Sequence, residues 1–390
     1  MKDNSMNDFL SKVTRIYEAE QALGAKVTRA DQVPPTYDAI TADWLSAVIC
    51  KDQPGAEVTS FSFDKEDDGT SNRRRIFLTY NAAGQRAGFP PSVFCKAAAT
   101  LTSRFVLGSS GSARGEANFF NIARPQLDIL TPEPIFSGYN PDNYAYFIMM
   151  KDMAGQDSFP IETHVMTREQ AEGMVDTLAR LHSRFYQDPA LGTAALPFDH
   201  WSLWWKRMVT ESPNFERYCD IAFGDCEHLM SPALFARRAE IWPKTMASAE
   251  AHKGLPSSLT HNDVHLKNWF ISADNRMGLH DWQAVGYGHW SRDYIYATTC
   301  ALSIEQRRAW EVELLDLYLD KMAERGVPRV SHEEAMRNCR QQLLTALAFW
   351  TITLRPAPEM ADMQPASTTL TFLSRMLAAM DDHDALDAFD

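Results

Sequence analysis

Between His261 and Asp281 the chain reads HNDVHLKNWFISADNRMGLHD, and this stretch constrains the fold more than any other. It carries two carboxylates, Asp263 and Asp281, with the amide of Asn268 between them. Apolar triplets, Trp269-Phe270-Ile271 and Met277-Gly278-Leu279, flank the turn-forming segment Ser272 to Arg276. That pattern predicts a tight β-hairpin. A hairpin would return Asp281 to the neighbourhood of Asn268. An Asp and an Asn on adjacent strands make an oxygen-rich site suited to a hard cation such as Mg2+. Asp263 lies on the loop that feeds the hairpin, so the chemistry is expected here.

A chain of 390 residues is long enough for two lobes, each with its own core. Its net charge of −13 argues against nucleic acid or an anionic membrane as the main partner. A small basic patch for an anionic nucleotide stays compatible with that charge. The six cysteines are scattered without zinc-type or redox-type spacing. With no apolar signal core at the N-terminus and no membrane-length apolar run, the expectation is a reduced, soluble, cytoplasmic protein.

The first part reads as strand-dominated. Residues 1–35 are helical and then loop-like, and TADWLSAVIC has Thr41 as N-cap with Trp44, Leu45, Val48 and Ile49 at helical spacing. EVTSFSF, RRRIFLTY and SVFCKAA alternate as three strands, joined by GTSN and by NAAGQRAGFPP, which reads as a turn. Lys96 ends the third strand. It is either an edge-strand lysine or a buried cation in need of a partner. Residues 103–115, rich in Gly and Ser, are expected to be mobile. A helix is expected from Glu116, which its first turn would place against the helix dipole and within reach of Lys96. PEPIFSG and YAYFIMM form a second hairpin, ending near Met150.

Beyond Met150 the chain turns helical. REQAEGMVDTLARLHSRFYQ has a strongly amphipathic pattern with His182 on its apolar face, where a satisfied core histidine is expected. Trp201, Trp204 and Trp205 read as helix packing, with the wall of an apolar pocket as the second possibility. Further helices are expected over 305–325, 331–354 and 368–380, before an acidic tail, DDHDALDAFD, read as solvated or frayed. The fold class is α+β: a small antiparallel-sheet lobe over 1–150 and a larger, mainly helical lobe over 151–390.

A strand lysine, a helix glutamate, His-x-Asp-x-x-x-x-Asn and a later Asp are the parts that phosphoryl transfer requires. Read together they resemble the aminoglycoside phosphotransferase and choline kinase-like superfamily, relatives of the protein kinases, with something of the ecdysteroid-kinase-like branch. His261 to Asn268 resembles the family's catalytic loop, His280-Asp281-Trp282-Gln283 its metal segment, Arg292-Asp293 the structural Asp segment, and Leu178 to His182 its Leu-Ala-x-Leu-His helix. The resemblance implies a bilobal protein-kinase-like fold. It makes Asp263 the base for the acceptor hydroxyl, and Asn268 and Asp281 the Mg2+ ligands. Lys96 would contact the nucleotide phosphates, positioned by Glu116, while Ser71 and Asn72 cover the phosphates. The strand Phe147 to Lys151, with Met149, Met150 and Lys151 as nucleotide-binding residues, would lead into the hinge that reads the base of ATP, or of GTP. His261 and Asp293 would be braces. Asn262 stands where the family usually has Gly, and Asn is the residue best able to adopt positive φ. Arg73 and Arg75 share one side of their strand, with a solvated edge the expected reading.

The function implied is a small-molecule kinase that phosphorylates a metabolite hydroxyl, with an aminoglycoside, choline or a hydroxyacyl thioester as alternative acceptors. Two other classes compete. A metallohydrolase would use His261, Asp263, His265, His280 and Asp281 as ligands, which leaves Asn268 without a role. A catalytically silent nucleotide-binding module would keep the fold and lose transfer.

Overall fold

The computed structural model describes residues 2–210, 214–356 and 363–389. The chain splits into two compact units, Met1–Pro125 with Pro132–Gly155, and Gln126–Thr131 with Gln156–Asp390. The first holds the larger sheet and the second is mainly helical, so the class is α+β.

In the first unit the helices are α1 (Lys2–Leu23), α2 (Ala42–Ile49), α3 (Ala82–Ala87), α4 (Leu101–Ser110) and α5 (Ser112–Asn118). The strands are β1 (Val58–Phe63), β2 (Asp67–Asp68), β3 (Asn72–Tyr80), β4 (Ser92–Ala97), β5 (Pro134–Tyr139) and β6 (Tyr146–Lys151). They form an antiparallel sheet in the order β1-β3-β4-β6-β5, with β2 paired to β3. Thr41 caps α2 by accepting from Trp44 N. That cap sends Trp44, Leu45, Val48 and Ile49 into a core with Ile76, Val93, Cys95 and Phe147.

Three sequence expectations are corrected here. NAAGQRAGFPP is not a plain turn, because its turn-forming residues act as helix caps. The Asn81 side chain accepts from Gly84 N, and Gly88 closes α3 at φ +72°. Residues 103–115 are not a mobile loop but α4 and the start of α5. A capping box of Thr100 and Ser103 opens α4, and Gly111 at φ +81° joins the two helices. Glu116 therefore lies in the second turn of α5, not in a first turn. The third correction concerns the strand of Arg73 and Arg75, which is interior. Arg73 pairs with Asp67 at 2.9 Å and Arg75 with Asp152 at 2.5 Å.

α1 is bolted to α4 by charge. Arg104 is fully buried, binds the Glu20 carboxylate and the Pro35 carbonyl, and lies over the Tyr17 ring.

In the second unit the amphipathic α6 (Arg168–Arg184) is followed by α7 (Trp201–Trp205), α8 (Phe215–Asp225), α9 (Pro232–Ala236) and α10 (Ile241–His252). Two short hairpin-like pairs follow, β7 (Ser258–Thr260) with β10 (Gly286–Gly288), and β8 (Trp269–Ile271) with β9 (Met277–Leu279). The chain continues as α11 (Ser291–Ala301), α12 (Ile304–Glu324), α13 (His332–Leu354) and α14 (Ala366–Asp382). The acidic tail is docked rather than frayed. Asp382 binds Arg308 at 2.8 Å and also Arg307, while Ala385 and Leu386 are buried; Asp390 lies outside the described residues. Among the described residues no helix is long and apolar enough to cross a membrane.

Leaving Arg104 buried without its carboxylate should cost about 1–3 kcal/mol. Glu20→Ala is expected to lower the urea midpoint accordingly, while Glu18→Ala, at an exposed position of the same helix, stays within about 0.5 kcal/mol of the parent. Equal midpoints for the two variants would contradict the bolt.

Candidate active site

The hairpin predicted from sequence is present. Trp269 pairs with Leu279 and Ile271 with Met277, and Asn275 takes φ +61° in the turn. His280 N–H donates to the Asn268 carbonyl at 2.9 Å, which brings the residue before Asp281 back beside Asn268. Asp281 itself stands in the left-handed region at φ +62°, ψ +72°. A non-glycine residue held there is a feature of constrained functional loops.

The loop from His261 to Asp263 hangs from one buried carboxylate. Asp293, on the first turn of α11, accepts His261 N–H at 2.7 Å on Oδ2 and Asn262 N–H at 2.9 Å on Oδ1. His182 Nε2 adds a contact of 3.2 Å, and its Nδ1 meets the Tyr318 hydroxyl at 2.8 Å. His182 is thus the satisfied core histidine that its place on α6 implied. Burial alone would push the Asp293 carboxyl up. The hydrogen bond from His182 and the neighbouring positive charge outweigh it and hold the group below the ordinary carboxylate value.

Asn262 takes φ +68°, as a residue in a Gly position requires. Its side chain does more than glycine could: Nδ2 donates to the Ala284 carbonyl at 3.1 Å, tying the loop to the segment after Asp281. Arg292 Nη1 donates to the Asn262 carbonyl at 2.6 Å, with its guanidinium over the Trp201 ring. His261 Nε2 lies 2.9 Å from the His280 carbonyl, and Nδ1 accepts from Asp263 N–H at 3.2 Å. The ring is therefore the neutral Nε2–H tautomer. Burial, the largest influence, lowers its pKa in agreement.

Asp263 is the contrasting carboxylate, with its side chain 42% exposed. Asn268 Nδ2 donates to its Oδ2 at 3.0 Å and to its carbonyl at 2.7 Å, and the Tyr296 hydroxyl donates to Oδ1 at 3.1 Å. Because both partners of the Asn268 amide nitrogen are acceptors, Asn268 Oδ1 must point the other way. An amide oxygen so directed and the carboxylate of Asp281 are the hard oxygen donors that Mg2+ takes. The donor set fits the cation.

The ligand set of a metallohydrolase does not assemble. Both nitrogens of His261 are committed to backbone groups; the His265 ring, buried against Trp350 and Phe372, brings Nε2 to 3.7 Å from Asp263 Oδ2, and that is one pair, not a ligand set. Among the described residues no three His, Cys, Asp or Glu side chains gather as a metal site.

In the first unit Lys96 lies on β4, which has β3 on one side and β6 on the other, so it is not an edge lysine. Its Nζ is 2.8 Å from Glu116 Oε1, and both side chains are buried. The Tyr146 hydroxyl binds the second Glu116 oxygen. The Asn72 side chain is used inside the unit: Oδ1 accepts from Ala99 N, Thr100 N and Ser103 Oγ, fixing the entry to α4. Ser71 is buried beside it. Met149 and Met150 lie within β6, in register with β4 and β5, and Lys151 N–H donates to the Glu133 carbonyl. All three sit in the ladder.

Sequence reasoning missed Tyr296, Trp350 and Tyr146. Tyr296 was findable, because it follows Asp293 by three residues on α11 and so shares its face. Trp350, whose Nε1 donates to the Tyr296 hydroxyl at 2.8 Å, is 54 residues further along the chain and carried no signal. After the hairpin, His289 Nδ1 lies 2.7 Å from Ser291 Oγ and the Trp290 ring packs tilted against Tyr318 at 4.9 Å.

His252, His261, His265 and His289 are all buried, and burial lowers each below the ordinary 6.5, His252 to about 3. The unfolded chain protonates these rings near 6.5, and the folded chain only at lower pH. Their contribution is therefore complete above 6.5 and is lost as pH falls towards the folded values. Each can remove up to about 1.4 kcal/mol per pH unit in that window. Urea midpoints are expected to fall steeply as pH drops from about 6.5 to about 5, and a flat profile would contradict neutral burial.

The model of the phosphotransferase enzyme family matches residues 96–330, more than half of the chain. No curated protein matches the sequence. Among solved structures, the chain is similar to a macrolide 2'-phosphotransferase from Brachybacterium faecium, with 15% identity over 84% of this chain and 97% of that one, at a TM-score of 0.46. It is also similar to a putative aminoglycoside phosphotransferase from Ralstonia eutropha, with 12% identity over 87% and 97%, at 0.48. An ethanolamine kinase from Plasmodium vivax matches at 10% identity over 84% and 83%, at 0.45. The chain belongs to the phosphotransferase enzyme family.

Proposed function

We propose that the protein moves the γ-phosphate of a nucleoside triphosphate, ATP or GTP, to a hydroxyl of a small organic metabolite. Asp263 is the catalytic base. The observation that carries this reading is the state of its carboxylate: open to solvent, yet held by an N–H on one oxygen and an O–H on the other. Such a group is aimed without being consumed.

As the acceptor oxygen attacks the γ-phosphorus, its proton passes to Asp263, and the bond to the bridging oxygen breaks to release the nucleoside diphosphate. Asn268 Oδ1 and Asp281 would hold Mg2+, which when bound supplies positive charge to the phosphates. Lys96, kept in place by Glu116 and through it by Tyr146, is the cation for the nucleotide phosphates. His261 and Asp293 fix the loop and take no part in the chemistry. Little covalent work falls to the protein in this reaction, so rigid aim of the loop is what contributes to rate.

Asp263→Asn is expected to abolish transfer and leave Mg·ATP binding nearly intact, read as ADP release and as thermal shift. Surviving turnover would remove Asp263 from the role. Asp281→Ala should lose the Mg2+-dependent part of that thermal shift. Stabilisation by zinc with indifference to Mg·ATP would instead favour a hydrolase. Screening alcohols by ADP release identifies the acceptor, with choline, aminoglycosides and hydroxyacyl thioesters included in the panel.

A further inference from the structure

Both oxygens of Asp263 are held, and only one of the holders belongs to the catalytic loop. Asn268 lies five residues on and binds Oδ2; Tyr296 comes from α11 and binds Oδ1. The direction of the Tyr296 bond is fixed by a third residue. An indole N–H can only donate, so at 2.8 Å the Trp350 Nε1–H occupies a lone pair of the Tyr296 oxygen. The phenolic hydrogen is left for Asp263, whose ionised carboxylate can only accept. Tyr296 and Trp350 are each about 3% exposed, so water cannot readily replace either bond. The Trp350 ring is itself held, against Phe372 of α14 at 4.7 Å and His265 at 5.3 Å.

Trp350 and Phe372 lie beyond residue 330, where the match to the family model ends. We propose that Tyr296 is a positioning residue for Asp263, directed by Trp350, so that the C-terminal helices α13 and α14 set the aim of the catalytic carboxylate. This rests on Asp263 being the base. A carboxylate tethered at one oxygen still turns about its Cβ–Cγ bond. Tethered at both it presents its remaining lone pairs in one direction, and that orientation is what a base for an acceptor hydroxyl requires.

The test compares Tyr296→Phe, Trp350→Phe and the double variant in the full-length protein. The probe is Mg·ATP, with water and then the alcohol panel as acceptors. Tyr296→Phe is expected to lower kcat about tenfold, the size of one hydrogen bond to a charged group. KM for Mg·ATP should stay within about twofold. Trp350→Phe should lower kcat less, and the double variant should be no slower than Tyr296→Phe alone, because the tryptophan acts through the hydroxyl. A purely structural pair would instead give additive losses of thermal stability with unchanged kcat. A crystal structure of Tyr296→Phe supplies a readout independent of turnover: the Asp263 carboxylate should leave its present orientation while Asn268 stays. An unmoved carboxylate, or full kcat in Tyr296→Phe, overturns the proposal. Asp263→Asn separates the two failures. If it is inactive while Tyr296→Phe is fully active, only the positioning role falls; if it remains active, the base assignment falls as well.

Discussion

The second unit depends on one carboxylate accepting two consecutive backbone N–H groups. Asp293 takes the amides of His261 and Asn262 at 2.7 and 2.9 Å with no solvent to compete. The torsions of His261 aim both amides at the one carboxylate, and the chain bends just after them, at Asn262, whose φ is +68°. The bend throws Asp263 outward. Remove the acceptor and two buried donors are orphaned, each at a cost of about 1–3 kcal/mol. Nothing else described at this turn accepts from those two amides.

Around that turn the neighbouring groups are mutually specifying. His261 is fixed as a neutral tautomer by a carbonyl on one side and an amide on the other. Asn262 reaches Ala284, and Arg292 closes on the Asn262 carbonyl. The loop before the hairpin and the segment after it are thereby joined three times, each time by a side chain donating to a backbone carbonyl. A buried network of this kind is rigid only because its members are satisfied together. That rigidity is the protein's contribution to a reaction governed by placement.

What was legible in the sequence follows from how local each determinant is. The β8–β9 hairpin, the cap at Thr41 and the Lys96–Glu116 pair rest on spacing and on residue type, the positive φ of Asn262 on its place in the resembled catalytic loop, and the structure contains them. Errors arose where one residue type serves two structures. Asn81 and Gly88 are turn formers in isolation and helix caps when six compatible residues lie between them. Gly and Ser in 103–115 read as disorder, yet α4 is opened by a capping box and held from outside by Glu20 and Asn72, which lie far away in sequence. The acidic tail looked solvated because its cationic partners, Arg307 and Arg308, belong to another helix. Asn72 was given a phosphate-covering role from its place in the Gly69 to Asn72 loop. That its side chain serves the N-terminus of α4 is information that pairing between distant segments alone supplies.

Asp263 and Asp293 show why a motif letter does not determine a role. Each is an aspartate with hydrogen-bond donors on both oxygens. Asp293 is wholly buried, and its acceptor capacity is spent on the backbone of the loop. Asp263 is tethered by a side-chain amide and a phenol that leave its outer face open. One carboxylate fixes the position of the turn and the other uses that position. Exchanging the donors around them, without altering either aspartate, would exchange what each can do. The chemistry of this loop therefore lies in the partners of its carboxylates as much as in the carboxylates themselves.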